Sequence, residues 1–164
     1  MTTKSNLQTL FDYHWYTTRR LMDCAAQLEI SAYLDNPGYG HGSIHDLLFH
    51  LLRTNSSWRL GLETGRQLPP LQGEDYPDLQ SLRDGFQQEQ DEWHALLDRL
   101  EEEDIESDMN LTNWRGDTVS MRRWEILHHL VLHGVQHHAE LAQLLTLKGQ
   151  SPGNLDFIFF SDRE

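Results

Sequence analysis

The chain has 164 residues, of which 38% are hydrophobic, and this length predicts a single domain spanning residues 1–164. Lys and Arg number 13 against 26 Asp and Glu, so the formal net charge is −13. Nucleic acids and anionic membrane surfaces are bound by basic patches, so this charge argues against both as partners.

Cys24 is the single cysteine, so no disulfide can form within the chain and a reducing cytoplasm is the expected location. The first residues lack the charged-then-apolar pattern of a signal peptide. No apolar run approaches the roughly 20 residues that a membrane span requires. We therefore expect a cytoplasmic protein without a membrane partner.

The first predicted helix covers residues 5–29 and has a broad apolar face. Its aromatic residues lie on more than one side of the helix: Phe11, Tyr13, Trp15 and Tyr16. Apolar surface beyond one stripe is typical of a helix with a second partner, which predicts a homodimer. The alternative is that the apolar tail, residues 156–160, packs over these side chains.

Residues 36–42 are rich in helix breakers and precede the second predicted helix, residues 43–64. Ser43 is suited to the N-cap, with Asp46 in the first turn, and Gly65 is suited to the C-terminal end. Asp78 is expected to cap the third helix, residues 78–101.

An extended hairpin is predicted for residues 110–120, around Arg115-Gly116-Asp117. Ser120 is then expected to cap the fourth helix, residues 121–148. Four long helices joined by connections of unequal length predict an all-α four-helix bundle, with the short hairpin before the last helix.

Three histidines of the fourth helix are spaced four residues apart, at His129, His133 and His137. This spacing places the three side chains on one helix face, with Glu140 between them. His128 and His138 point away and are interpreted as surface or packing residues. Two imidazoles one turn apart can converge on one metal ion.

A divalent ion needs three or four donors, so a further ligand must come from another helix. His50, at the edge of the leucine stripe in the second helix, is the best candidate because a buried imidazole needs a partner. Spacing alone leaves open that His129, His133 and His137 are surface imidazoles. Gly134 stands where a metalloprotease His-Glu-x-x-His motif has its glutamate, so spacing does not support peptide hydrolysis.

Segments along nearly the whole chain resemble the DinB/YfiT-like family of small four-helix-bundle metalloenzymes. The first is the aromatic segment Phe11-Asp12-Tyr13-His14-Trp15 of the first helix, and the second is the helix that begins at a serine and carries His50. The others are the His-x3-His-x3-His stretch ending at His137 and the C-terminal segment with Gly149, Pro152 and Asp156. Leu132 and His138-Ala139-Glu140 depart from the family pattern beside the ligands. These departures leave the metal and the substrate open.

The resemblance implies that His50, His133 and His137 bind a divalent ion such as nickel or zinc. It places His129 and Glu140 in the surrounding pocket. It further implies a metal-dependent enzyme that acts on a small-molecule substrate, with a low-molecular-weight thiol as cosubstrate in a transferase reaction. Two rivals stay open, which are a metal-dependent hydrolase and a non-catalytic metal-binding or stress-response protein.

Overall fold

The computed structural model describes residues 3–113 and 115–161. Within these ranges the long helices are α1 (Lys4–Ala25), α3 (Ile44–Thr64), α4 (Leu79–Arg99) and α6 (Arg123–Leu147). The shorter ones are α2 (Ile30–Tyr33), α5 (Glu102–Glu106) and α7 (Phe157–Ser161), with a 3₁₀ turn at Gly73–Asp75. Helix α1 packs against α4 and α6, and α3 packs against the same two helices. This closed ring of contacts confirms the predicted four-helix bundle.

The caps predicted for the second and third long helices are present. The Ser43 hydroxyl accepts a hydrogen bond from the Asp46 backbone N–H (3.1 Å), and the Asp46 carboxylate accepts one from the Ser43 N–H (2.9 Å). Asp78 and Ser81 form the same reciprocal pair at the start of α4. Gly65 ends α3 in the left-handed conformation, with φ 70°, which a residue without Cβ adopts at little cost.

The first helix ends at Ala25, earlier than the predicted Glu29. The N–H of Gln27 bonds to the Cys24 carbonyl and the N–H of Leu28 to the Ala25 carbonyl, each at 3.1 Å. Such bonds to the third preceding residue tighten and close a helix. Glu29 is then extended, with ψ 146°, and begins the separate short helix α2.

The predicted hairpin is confirmed as β1 (Asp108–Thr112) and β2 (Thr118–Arg122), which pair antiparallel. Trp114, within the predicted segment, lies outside the described residues. The expectation that Ser120 caps the last helix is wrong, because Ser120 is paired with Asn110 in the hairpin. Since the strand pairing continues to Arg122, α6 starts two residues later than predicted, with Arg122 as its N-cap.

The tail after α6 covers part of the aromatic surface of α1. The Tyr13 ring meets Phe157 edge-on (5.3 Å between centroids), and Tyr16 lies 5.3 Å from Phe160. The Tyr13 hydroxyl also donates a hydrogen bond to the Leu155 carbonyl (2.6 Å). The packing of the tail thus accounts for these two tyrosines, and the homodimer stays a prediction. No described helix is long and apolar enough to cross a membrane.

Candidate metal centre

Three imidazoles from two helices converge between α3 and α6. His133 Nε2 lies 3.2 Å from His50 Nε2 and 3.1 Å from His137 Nε2. His50 projects from α3 beside the buried side chains of Leu47 and Leu51, while His133 and His137 are one turn apart on α6. The structure therefore brings together the three predicted ligands.

Each of these two separations has the length expected for two nitrogens bound to one ion. Zinc binds histidine nitrogen at 2.0–2.1 Å, so ligand nitrogens around one ion are about 3.0 Å apart at right angles and about 3.4 Å apart at tetrahedral angles. The observed 3.1 Å and 3.2 Å lie between these values. That the three residues bind a metal stays a prediction, which the donor set and its spacing support.

The Glu140 carboxylate orients one of the three rings. Its Oε2 lies 2.8 Å from His137 Nδ1. Since an ionised carboxylate only accepts hydrogen bonds, His137 Nδ1 carries the proton and its Nε2 presents a lone pair to the cluster. A carboxylate on the far nitrogen of a ligand histidine is the usual outer support of a metal site. Burial raises the Glu140 pKa, but hydrogen bonds with His137 and Gln136 help to hold it below its usual value.

The surroundings keep two of the candidate ligands neutral. Burial is the largest cause that lowers the pKa of His50 to about 4, followed by His41 and the other imidazoles. Burial, followed by His137 and His129, lowers the pKa of His133 to about 4. Because a metal ligand must be a neutral imidazole, these two side chains are ready to bind a cation at neutral pH.

Two further histidines border the cluster. His129 is exposed at its rim, edge-on to Trp58 and 5.6 Å from His133 between ring centroids. His41, which the sequence analysis missed, comes from the loop before α3 and stacks on His50 with 3.8 Å between centroids. The ligand atoms of His41, His50 and His137 all lie within 4.8 Å of one another. Helical periodicity could not indicate His41, because it lies outside any helix.

A second pair of histidines is buried behind the cluster, between α1 and α6. His14 is 2% exposed and His138 is 3% exposed, and their ring centroids are 5.0 Å apart. Thr18 donates its hydroxyl proton to the His14 carbonyl (2.9 Å), so its oxygen accepts from His138 Nε2 at 2.8 Å. His138, interpreted from the sequence as a surface or packing residue, packs in the core.

Gly134 makes room for the His14 ring, so Gly134→Ala should destabilise the fold. A Cβ at position 134 would lie 2.2 Å from His14 Nδ1. Overpacking of this kind costs about 1–3 kcal/mol or more, against about 1 kcal/mol gained in helix propensity. We expect a net loss of about 2 kcal/mol and a melting temperature lower by roughly 4–8 °C, measured by thermal unfolding.

Gly61→Ala is the matched control for that substitution. A Cβ at this second helical glycine would lie 3.1 Å from Cδ1 of Leu111, the end of a flexible side chain. We expect a change within about 1 kcal/mol, because the gain in propensity offsets a small adjustment of Leu111. Equal stability of the two alanine variants would show that the His14 ring does not need the space that Gly134 leaves.

Burial of His14 predicts a loss of stability in mild acid. Burial, followed by the nearby His133, lowers the pKa of His14 from 6.5 to about 4 in the folded chain. The unfolded chain therefore binds more protons between these pH values. The stability that His14 contributes is present above about pH 6.5 and is lost as the pH falls toward 4, by about 3 kcal/mol in all.

Urea unfolding with EDTA at pH 7.5, 6.5 and 5.5 measures this effect. The free energy of unfolding should fall with pH in the wild-type protein and less steeply in His14→Phe, which keeps a buried ring that cannot take up a proton. The same pH slope in both proteins would contradict the pKa shift of His14.

Comparison with known proteins agrees with this fold. The model of the DinB family matches residues 1–164. YfiT from Bacillus subtilis, a four-helix bundle of unusual topology, superposes with a TM-score of 0.66 at 17% identity, covering 92% of each chain. A DinB-like protein from Bacillus cereus ATCC 10987 superposes with a TM-score of 0.71 at 16% identity, covering 93% of this chain and 97% of the other. No curated protein matches the sequence. The chain belongs to the DinB family.

Proposed function

We propose that the chain is a divalent-metal enzyme whose ion is held by His50, His133 and His137. The observation that carries this proposal is that His133 Nε2 lies 3.2 Å from His50 Nε2 and 3.1 Å from His137 Nε2. Imidazole ligands suit nickel, zinc and related ions. A bound ion of this kind acts as a Lewis acid and lowers the pKa of a coordinated thiol or water.

For the reaction we propose transfer of a low-molecular-weight thiol to a small electrophilic substrate. The position of Arg53 favours an anionic cosubstrate. Its exposed guanidinium is close enough to help lower the pKa of both His41 and His50. It lies 5.7 Å from the centre of the Phe49 ring. A cation at the edge of the cluster would attract a thiolate or the carboxylate groups of a peptide-like thiol.

Metal-dependent hydrolysis is the second candidate. YfiT from Bacillus subtilis is described as a "probable metal-dependent hydrolase". Hydrolysis calls for a base beside the attacking water, and Glu140 is the carboxylate whose charge acts on His41 and His133. Its carboxylate is engaged by His137 and by Gln136. This engagement suits a positioning residue better than a free base, and therefore favours thiol transfer.

We also infer a cytoplasmic homodimer, which a single free cysteine and the exposed apolar side chains of the last helices support. Leu132, Val135 and Ile158 are 66%, 43% and 60% exposed. Sedimentation at micromolar concentration that shows only a 19.2 kDa species would contradict the dimer. The net charge of −13 supports small molecules over nucleic acid as partners.

The reaction is tested with protein that has been stripped of metal and reloaded with nickel or zinc. Thiol consumption is followed with electrophilic acceptors, and hydrolysis with ester and amide substrates. We expect metal-dependent thiol transfer, and we expect Arg53→Gln to raise KM for the thiol with little change in kcat. Arg83→Gln, which loses an exposed ion pair with Asp23, is the control for the loss of a positive charge.

Metal-dependent hydrolysis without thiol transfer would select the second candidate. Stoichiometric metal binding with neither activity would favour the non-catalytic metal-binding protein.

A further inference from the structure

An exposed loop histidine lies against two of the three candidate ligands. The His41 ring stacks on His50 (3.8 Å between centroids, 20° between planes) and meets His137 edge-on at 4.9 Å. Ligand atoms of His41, His50 and His137 all lie within 4.8 Å of one another.

Glycines flank His41 on both sides in the chain, and the turn that carries it is closed by a hydrogen bond from the Gly42 N–H to the Tyr39 carbonyl (3.3 Å). Gly42 has φ 97°, and a Cβ there would lie 2.7 Å from the Asp46 Oδ2 that caps α3. Gly38 and Gly40 also have positive φ, and a Cβ on either would meet nothing within 4 Å. Residues 38–41 thus form a short arm that is anchored at the start of α3, with glycines that can absorb a change in backbone angles.

We propose that His41 is a fourth imidazole ligand, brought to the ion by this glycine-rich arm. The inference rests on the proposed function, since it requires an ion between His50, His133 and His137. Ligand nitrogens at tetrahedral angles are about 3.4 Å apart. Ligand atoms of His41, His50 and His137 lie within 4.8 Å of one another, so a small movement of the loop, with a turn of the His41 ring out of its stack on His50, would bring its nitrogen to that distance.

A fourth ligand on a movable arm determines how a substrate reaches the site. Four protein donors close a zinc-like site, whereas catalytic sites keep one position open. With His41 bound, the site is closed. When the arm swings out on Gly38 and Gly40, the position of His41 becomes available to a substrate thiol or water. His41 is therefore a gating ligand, and His50, His133 and His137 are the permanent ones.

Cobalt titration of the full, untagged chain tests this inference, because four-coordinate Co²⁺ absorbs visible light far more strongly than five- or six-coordinate Co²⁺. Wild-type protein should bind one Co²⁺ with the intense four-coordinate spectrum. His41→Ala should still bind one Co²⁺, with weaker absorption and at least about tenfold lower affinity, since losing even an outer partner costs 10–100-fold. Added free imidazole should restore the intense spectrum in His41→Ala.

Two control variants separate the possible failures. His94→Ala removes an exposed imidazole that pairs with Asp12, outside the cluster, and should behave as wild type. His50→Ala should lose stoichiometric cobalt, because α6 is then the one helix that supplies permanent ligands. If His41→Ala matches His94→Ala in spectrum and affinity while His50→Ala loses the ion, the role of His41 is overturned and the three-histidine site stands. If wild-type protein binds no stoichiometric Co²⁺, the proposed function fails and the inference fails with it.

Discussion

Replacing His133 with alanine should abolish stoichiometric binding of a divalent ion. His133 Nε2 is the central donor, 3.2 Å from His50 Nε2 and 3.1 Å from His137 Nε2. Without it the two helices supply one donor each, and such a pair does not hold an ion well even with a loop imidazole that can swing away. An ion at 100 times its dissociation constant stabilises the folded state by about 2.7 kcal/mol. We expect added nickel or zinc to raise the melting temperature of wild-type protein and to leave that of His133→Ala unchanged.

Substitutions at two residues beside the ligands should have smaller effects on metal binding. Glu140→Gln removes the carboxylate that accepts from His137 Nδ1 and should weaken binding about 10–100-fold without abolishing it. His129→Ala removes the imidazole at the exposed rim and should leave one ion bound. Metal content and thermal melting of each variant measure these differences. Full retention of metal by both His133→Ala and His50→Ala would contradict the three-histidine site.

Arg59→Met should destabilise the bundle by about 3–5 kcal/mol, because it leaves a buried charge without its partner. Arg59 is 7% exposed and Glu89 is 6% exposed. The guanidinium donates two hydrogen bonds of 2.8 Å to the Glu89 carboxylate and a third, of 2.9 Å, to Glu63. Glu92 is also near, with an oxygen 3.9 Å from Arg59 Nη1. Loss of the cation would therefore leave several carboxylates close together.

A double-mutant cycle separates the pair from its surroundings. Glu89→Leu alone should cost less than Arg59→Met, since Arg59 keeps its hydrogen bond to Glu63. Arg59→Met combined with Glu89→Leu should recover much of the loss, because neither buried charge remains. Urea unfolding at pH 7 measures all four proteins. Arg59→Met within about 1 kcal/mol of wild type would show that the buried pair has little net effect on stability.

The long helices could be predicted because their signals are local. The side chains of Ser43 and Asp78 accept hydrogen bonds from the backbone of their own helices, so their role as caps depends little on the rest of the fold. The ends of the other helices depend on more than local preference. Ser120 is a good cap by residue type, but pairing with Asn110 extends the strand past it. Ala25 ends α1 although the apolar pattern continues beyond it.

The site could be predicted in part for the same reason. Helical spacing places His133 and His137 one turn apart, and the isolated polar position of His50 in a leucine stripe indicates an inward-facing group. His41 lies in a loop whose path depends on the packing of α3 against α6. The periodicity of the sequence does not predict that path. The burial of His14 depends on the missing side chain of Gly134 on a distant segment, which only the folded packing reveals.

Metal analysis combined with X-ray absorption on untagged protein tests the three-histidine centre most directly. Elemental analysis should give one nickel, zinc or similar ion per chain, and the absorption spectrum should show imidazole nitrogens at about 2.0–2.1 Å. The coordination of His50, His133 and His137 predicts at least three such nitrogens. A protein that binds no stoichiometric divalent ion, or one whose ion is surrounded only by oxygen, would contradict the centre.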